Sequence, residues 1–165
     1  MTTTAERYRA YRGIPLFAMG FRPFFLFGAL FAACALPLWI VGFHGWIPGI
    51  NRDWHVHEML FGYLGAVIAG FLLTAVPNWT GRLPVAGAPL IGLFALWAAG
   101  GVLMLVAAVT PRAAIIDVSF LVALAIIIAR EVIAGRNMRN LAVCVLVLLL
   151  TSANVLTHLG LLNPD

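Results

Sequence analysis

The sequence predicts an all-α fold, a polytopic transmembrane bundle of about five spans. Two observations carry that reading. Of the 165 residues, 63% are hydrophobic and 10% charged, and the mean hydropathy is +1.03. A soluble domain carries about 25% charged residues, so this chain lacks the polar surface to face water and the bilayer becomes its solvent. The apolar residues also fall into runs of about 20, the length a helix needs to cross, separated by short connectors rich in Gly, Pro, Asn and Arg. No stretch fits a soluble domain. Residues 1–19 form a polar, arginine-bearing tail and 20–165 the membrane domain. The tail has no A-x-A-like site after a short apolar core, so no cleaved signal peptide is expected.

The first span is expected over about 24–43, entered through Gly20-Phe21-Arg22-Pro23. Pro23 suits a first turn, where its missing N–H costs nothing; Pro37 is interior and should kink the span or end it early. The second, about 57–76, is expected to stop at Pro77-Asn78-Trp79. Its Gly62, Ala66 and Gly70 recur every four residues, which lets a neighbouring helix approach closely and places this span centrally. The third covers about 86–109 and is closed by Thr110-Pro111, the fourth about 113–133, and the fifth about 140–162. Cys34 and Cys144 each sit in an apolar run without a CxxC partner, so buried thiols are expected rather than a disulfide or zinc site.

All ten basic residues are arginine and the net charge is +4. With a cytoplasmic N-terminus, the inner side receives Arg7, Arg9, Arg12, Arg22, Arg82, Arg130, Arg136 and Arg139, and the outer side Arg52 and Arg112. That is a positive-inside bias, so the N-terminus is expected inside and the C-terminus outside. Juxtamembrane arginines explain the basic charge, and no nucleic-acid partner is indicated. The same topology places His44, His55, His57 and His158 in one outer layer, with Asp117 and Asn154. Arg22, Asn78, Arg82, Arg130, Glu131, Asn137, Arg139 and Asn140 gather at the inner side.

Polar chemistry concentrates in Trp54-His55-Val56-His57-Glu58-Met59. On a helix, successive residues turn by about 100°, so His55 and His57 point apart; in an extended segment they point the same way and could share a metal. With Asp53 as N-cap both would lie in a first turn, and His55 would share a face with Glu58. Lipid-headgroup or solvent contact is the plainer reading of the pair. Asn154 and His158, four apart, share a face of the fifth helix. An imidazole inside an apolar helix needs a partner or a ligand, and hydrogen bonds to Asp117 or Asn154 are the alternative to a metal. The candidate metal ligands are therefore His55, His57 and His158, since imidazole suits both copper and haem iron. Glu58, Asp117 and Asn154 are candidates for orienting an imidazole or relaying protons. Met59 is a soft donor but reads as packing, and His44 as an interfacial loop residue. Arg22 offers either an anion or propionate site or a topological anchor. Glu131 reads as paired with adjacent Arg130, and the five tryptophans as an interfacial belt.

Gly20-Phe21-Arg22-Pro23-Phe24-Phe25, Trp54-His55-x-His57-Glu58-Met59-x-Phe61-Gly62, and Ala69-Gly70-Phe71-Leu72-Leu73-Thr74-Ala75-Val76-Pro77-Asn78-Trp79-Thr80-Gly81 together resemble the NnrS family. Arg136-Asn137-x-Arg139-Asn140 and Ala153-Asn154-x-x-x-His158-Leu159 add to the likeness, which departs at Thr157, where family members carry Phe. The resemblance implies a multi-pass protein of the bacterial inner (plasma) membrane, with haem and copper as cofactors, linked to the response to nitric oxide and nitrosative stress. Nitric oxide would then coordinate a reduced metal held by His55, His57 and His158, with Glu58 tuning the site. Members of the family are longer, so the chain is expected to match their N-terminal part, with a second half or a further copy completing the bundle. Two other readings compete: a transporter or permease subunit for a metal or small solute, and a non-catalytic membrane subunit that needs a partner.

Overall fold

The computed structural model describes residues 6, 9–106 and 110–160, and it is helical without a strand among them. Five helices are long and apolar enough to cross a membrane. The expected ends of the third span (107–109) and the fifth (161–162), and Arg7 with most of the residues before it, lie outside the described residues.

Helix α1 spans Phe21–Phe43 and takes Pro23 into its first turn. It passes through Pro37 without ending, so of the kink or early end expected there the early end does not occur. Inside a bilayer no water takes over backbone groups freed by a break, so an interior proline is better tolerated than an open end. Helix α2 spans Arg52–Thr80 and starts before the expected His57. Its N-cap is Asn51, whose side chain accepts from Trp54 N at 2.9 Å; Asp53 lies in the first turn and pairs with Arg52 at 3.3 Å. Glu58–Tyr63 forms a wide π turn within it. The helix also continues beyond Pro77 and ends at Gly81, whose φ of +68° is the left-handed conformation that glycine adopts freely.

Helix α3 covers Ala88–Val106. Helix α4 covers Pro111–Ala134, with Thr110 as N-cap accepting from Ala113 N at 3.2 Å. A short 3-10 turn, Met138–Asn140, leads into α5, Leu141–His158.

The arrangement is built around α2 and α4. Helix α2 packs against α1 and α4, and its π turn also meets α3; α4 carries α3 on one flank and α5 on another. Half of the most apolar window of α2 is buried, against 17% for α1 and 22% for α5, which matches the central place expected from its small residues. Those residues face α1: a Cβ on Gly70 would stand 2.6 Å from the Phe25 ring, and one on Gly28 3.3 Å from Ala66. Phe24 is fully buried at the junction of α1, α3 and α4, with Phe94, Trp97 and Phe120 around it at ring distances of 5.9, 6.2 and 5.8 Å. A second, smaller cluster of Ala35, Ile50 and Trp54 secures the loop between α1 and α2, and Met59 packs on it.

The end of the bundle opposite the histidines is held by polar links. Arg82 pairs with Glu131 across the bundle, so the pairing of Glu131 with its neighbour Arg130 is replaced by a contact the sequence does not show. Asn137 donates to the Trp79 carbonyl at 2.7 Å. Two further expectations change. Trp97 belongs to the core at 8% exposed rather than to an interfacial belt, and Cys34 is exposed on the outer side of α1, whereas Cys144 is buried as expected.

Candidate metal centre

Three helices bring the site together: α2 contributes His57 and Glu58, α4 contributes Asp117, and α5 contributes Asn154 and His158. His57, Glu58, Asp117 and Asn154 are all buried, at 5%, 1%, 8% and 0% exposed. Burying so many polar groups among apolar helices is costly unless they satisfy one another. They do so in a chain, with one Glu58 oxygen, Oε2, left over. His57 Nδ1 hydrogen-bonds Glu58 Oε1 at 3.1 Å, and His57 Nε2 lies 3.1 Å from Asn154 Oδ1. Asn154 Nδ2 donates to Asp117 Oδ2 at 2.9 Å, and His158 Nε2 meets the same oxygen at 3.0 Å. His57 Nε2 is 3.4 Å from that oxygen too.

The backbone explains these meetings. The α2 N-cap at Asn51 starts the helix early enough that His55 and His57 are both helical, and they point to different neighbours as helical geometry requires. His57 turns inward to α4 and α5. His55 stacks flat on Trp39 of α1, with ring centroids 4.2 Å apart and planes 16° apart. His55 therefore stands apart from the cluster, contrary to its expected place as a third imidazole ligand. Nor does it share a contact with Glu58, which serves His57 instead. His44 caps α1, its Nδ1 donating to Ile40 O at 2.7 Å, and is exposed. Asp117, expected to orient an imidazole or relay protons, stands at the centre of the site and joins the candidate ligands. Gly100 makes room for it: a Cβ there would lie 3.0 Å from both the Asp117 Cα and its Oδ1. Nothing in the sequence singles out Gly100, which lies in a run of small residues, Ala98-Ala99-Gly100-Gly101.

Donor and acceptor accounting shows what the arrangement can hold. With Nδ2 of Asn154 committed to Asp117, the groups facing His57 Nε2 are a carbonyl oxygen and a carboxylate oxygen, and Nδ1 faces a second carboxylate. All are acceptors. With both carboxyls ionised, such a set suits a positive centre among them, either a doubly protonated imidazole or a metal ion. One donor atom each from His57, Asp117 and His158 lie within 4.8 Å of one another, and the two imidazole rings are 4.9 Å apart. Two imidazoles and a carboxylate are a donor set that suits copper, zinc, iron or nickel. Glu58 on the far nitrogen of His57 supplies the outer contact that fixes a ligating ring.

Once His57 and His158 hold such an ion, no imidazole among the described residues is left for haem: His55 is covered by Trp39 and His44 bonds the Ile40 carbonyl. Arg22, the candidate for a propionate, opens α1 at the opposite end of the bundle, where its Nη1 donates to Pro15 O at 2.9 Å.

Comparison with known proteins gives one finding. A family model described as NnrS protein matches residues 15–165, which include every residue of the cluster. No curated protein and no solved structure matches.

Proposed function

The chain belongs to the NnrS family, and from that premise we propose that it is a multi-pass protein of the bacterial inner membrane that holds one transition-metal ion of the copper class and takes part in the response to nitric oxide. The observation that carries the reading is the convergence of His57, Asp117 and His158 in an otherwise apolar interior.

The chain's own residues divide the work. Glu58 fixes the His57 ring through Nδ1 and leaves Nε2 facing the other donors. Asn154 steers Asp117 through its amide, so that one carboxylate oxygen faces both imidazoles. A bound ion of this class supplies a coordination position for a small uncharged ligand such as nitric oxide. Haem, the other group the family resemblance implies, has no such donor arrangement among the described residues. A permeation path is less well supported, because the polar groups form a closed cluster at one end while the core beneath them is apolar. Helix α5 keeps Leu146, Leu148 and Leu149 outward, a face suited to lipid or to further helices.

The test is infrared spectroscopy of copper-loaded, reduced protein in lipid nanodiscs exposed to nitric oxide. A new N–O stretching band in the wild type and its loss in His158→Ala are expected. No band, or an equal band in the variant, would remove the proposal.

A further inference from the structure

Beside the cluster, and sharing Glu58 with it, lies a cavity of about 310 Å³ between α1, α2 and α3. Phe27 and Phe31 of α1 and Trp97 and Gly101 of α3 form its walls, and Glu58 and Gly62 of the α2 π turn its floor. Leu30, Val102 and Leu105 stand at its mouth, 52%, 58% and 43% exposed on the outer surface of α1 and α3. No other helix among the described residues covers that apolar surface, so with α1 and α3 crossing a bilayer the cavity would open sideways into lipid.

One atom is out of place in so apolar a space. Glu58 is 1% exposed; its Oε1 bonds His57, while its Oε2 is buried with no hydrogen-bond partner. A buried polar atom in that condition costs about 1–3 kcal/mol. Two glycines keep it open: a Cβ at Gly62 would stand 2.8 Å from Oε2, and one at Gly101 3.8 Å from it. The indole N–H of Trp97 cannot serve it, being committed to the Gly62 carbonyl at 2.9 Å. Apart from the Cys34 thiol, the walls offer no other polar side chain.

We infer that this cavity binds a hydroxyl-bearing aromatic ring dissolved in the membrane, of the phenol or quinol class, with its O–H paired to Glu58 Oε2. Each part of that description follows from the walls. Entry from lipid requires an uncharged, apolar body. Phe27, Phe31 and Trp97 favour a ring, because aromatic pairs gain from edge and offset contacts beyond simple burial. A volume at the lower end of the ligand-pocket range of about 300–1,000 Å³ holds a single ring rather than a nucleotide or a porphyrin. A hydroxyl both donates and accepts, so it satisfies a carboxyl oxygen in either protonation state. Glu58 then joins two sites, holding the ligand with one oxygen and His57 with the other.

The test needs no metal. The full chain in nanodiscs is photolabelled with a diazirine-bearing para-alkylphenol, against competition by para-pentylphenol or by its methyl ether, para-pentylanisole. Labelled peptides should map to Phe27–Cys34 and Ala98–Leu105. The phenol should compete about tenfold better than the ether, the worth of one hydrogen bond to a carboxyl group. Gly101→Val, which fills the cavity from the α3 side, should abolish the labelling in protein whose helical circular dichroism is unchanged. Labelling spread over all helices, equal competition by the ether, or retention in a folded Gly101→Val protein would overturn the inference. Equal competition would reduce the cavity to a slot for acyl chains.

Discussion

Two histidines separated by one residue have different fates here, and that difference is the sharpest test at the residue scale. His57 lies inside a network of acceptors, and His55 stacks on Trp39. Replacing His57, Asp117 or His158 should therefore remove the bound metal, at a loss of about 100-fold or more in affinity, whereas His55→Ala should keep it. Elemental analysis of each purified variant decides this; metal lost from His55→Ala and kept in Asp117→Asn would reverse the assignment. Changes around the ligands should cost less. Asn154→Ala frees Asp117 to turn and should weaken binding about 10–100-fold, the range for residues that orient metal ligands. The sequence alone marks His57, Glu58, Asp117, Asn154 and His158 as one polar layer, because polar residues in apolar spans are few. It does not show that Asp117 is the shared partner of both imidazoles, since that depends on how α4 and α5 turn relative to α2. Nor does it separate His55 from His57 by rank, because the two look alike until the N-cap is known.

At the scale of the element, the spans were legible from length and hydropathy, and their ends were not. Pro77 was the misleading signal: expected to stop its span, it sits inside the helix, as the interior Pro37 does in α1, because in lipid the helix has no better way to satisfy its backbone. The α2 start was misplaced for a related reason, since Asn51 and Asp53 are both good caps and only the geometry chooses Asn51. The π turn at Glu58–Tyr63 has no sequence signature, yet it carries Glu58 and the carbonyl that Trp97 holds. The loop from α1 to α2 gives a testable contact. A Cβ on Gly42 would stand 2.2 Å from the Ile50 carbonyl oxygen, and main chain yields less readily than a side-chain tip. Gly42→Ala should destabilise the protein by about 1–3 kcal/mol, as overpacking usually does, read as a lower midpoint in a thermal or denaturant melt in detergent. Gly92→Ala, where nothing lies within 4 Å of the added carbon, should be neutral. Equal effects at both positions would contradict the packing described.

For the whole molecule, α2 and α4 form a centre on which the remaining helices lean, and the chemistry lies at one end of it. The arginine distribution predicts that this end faces outward; a cysteine introduced at Arg52 in a chain with Cys34→Ser and Cys144→Ala should then react in intact cells with a membrane-impermeant maleimide. A cysteine introduced at Arg139 should react only after lysis. The reverse pattern would invert the topology and place the cluster at the cytoplasmic face. The all-α bundle was the most legible feature of the sequence because composition alone forces it. The cluster was half legible, because topology lines up polar residues by depth but not by direction around each helix. The central claim is that His57, Asp117 and His158 hold one metal ion, and the most direct measurement is electron paramagnetic resonance of the purified full chain titrated with Cu(II). The account predicts a single saturable site with hyperfine coupling from two imidazole nitrogens, absent in Asp117→Asn and unchanged in His55→Ala. No saturable site, or a signal that survives Asp117→Asn and disappears with His55→Ala, would contradict it.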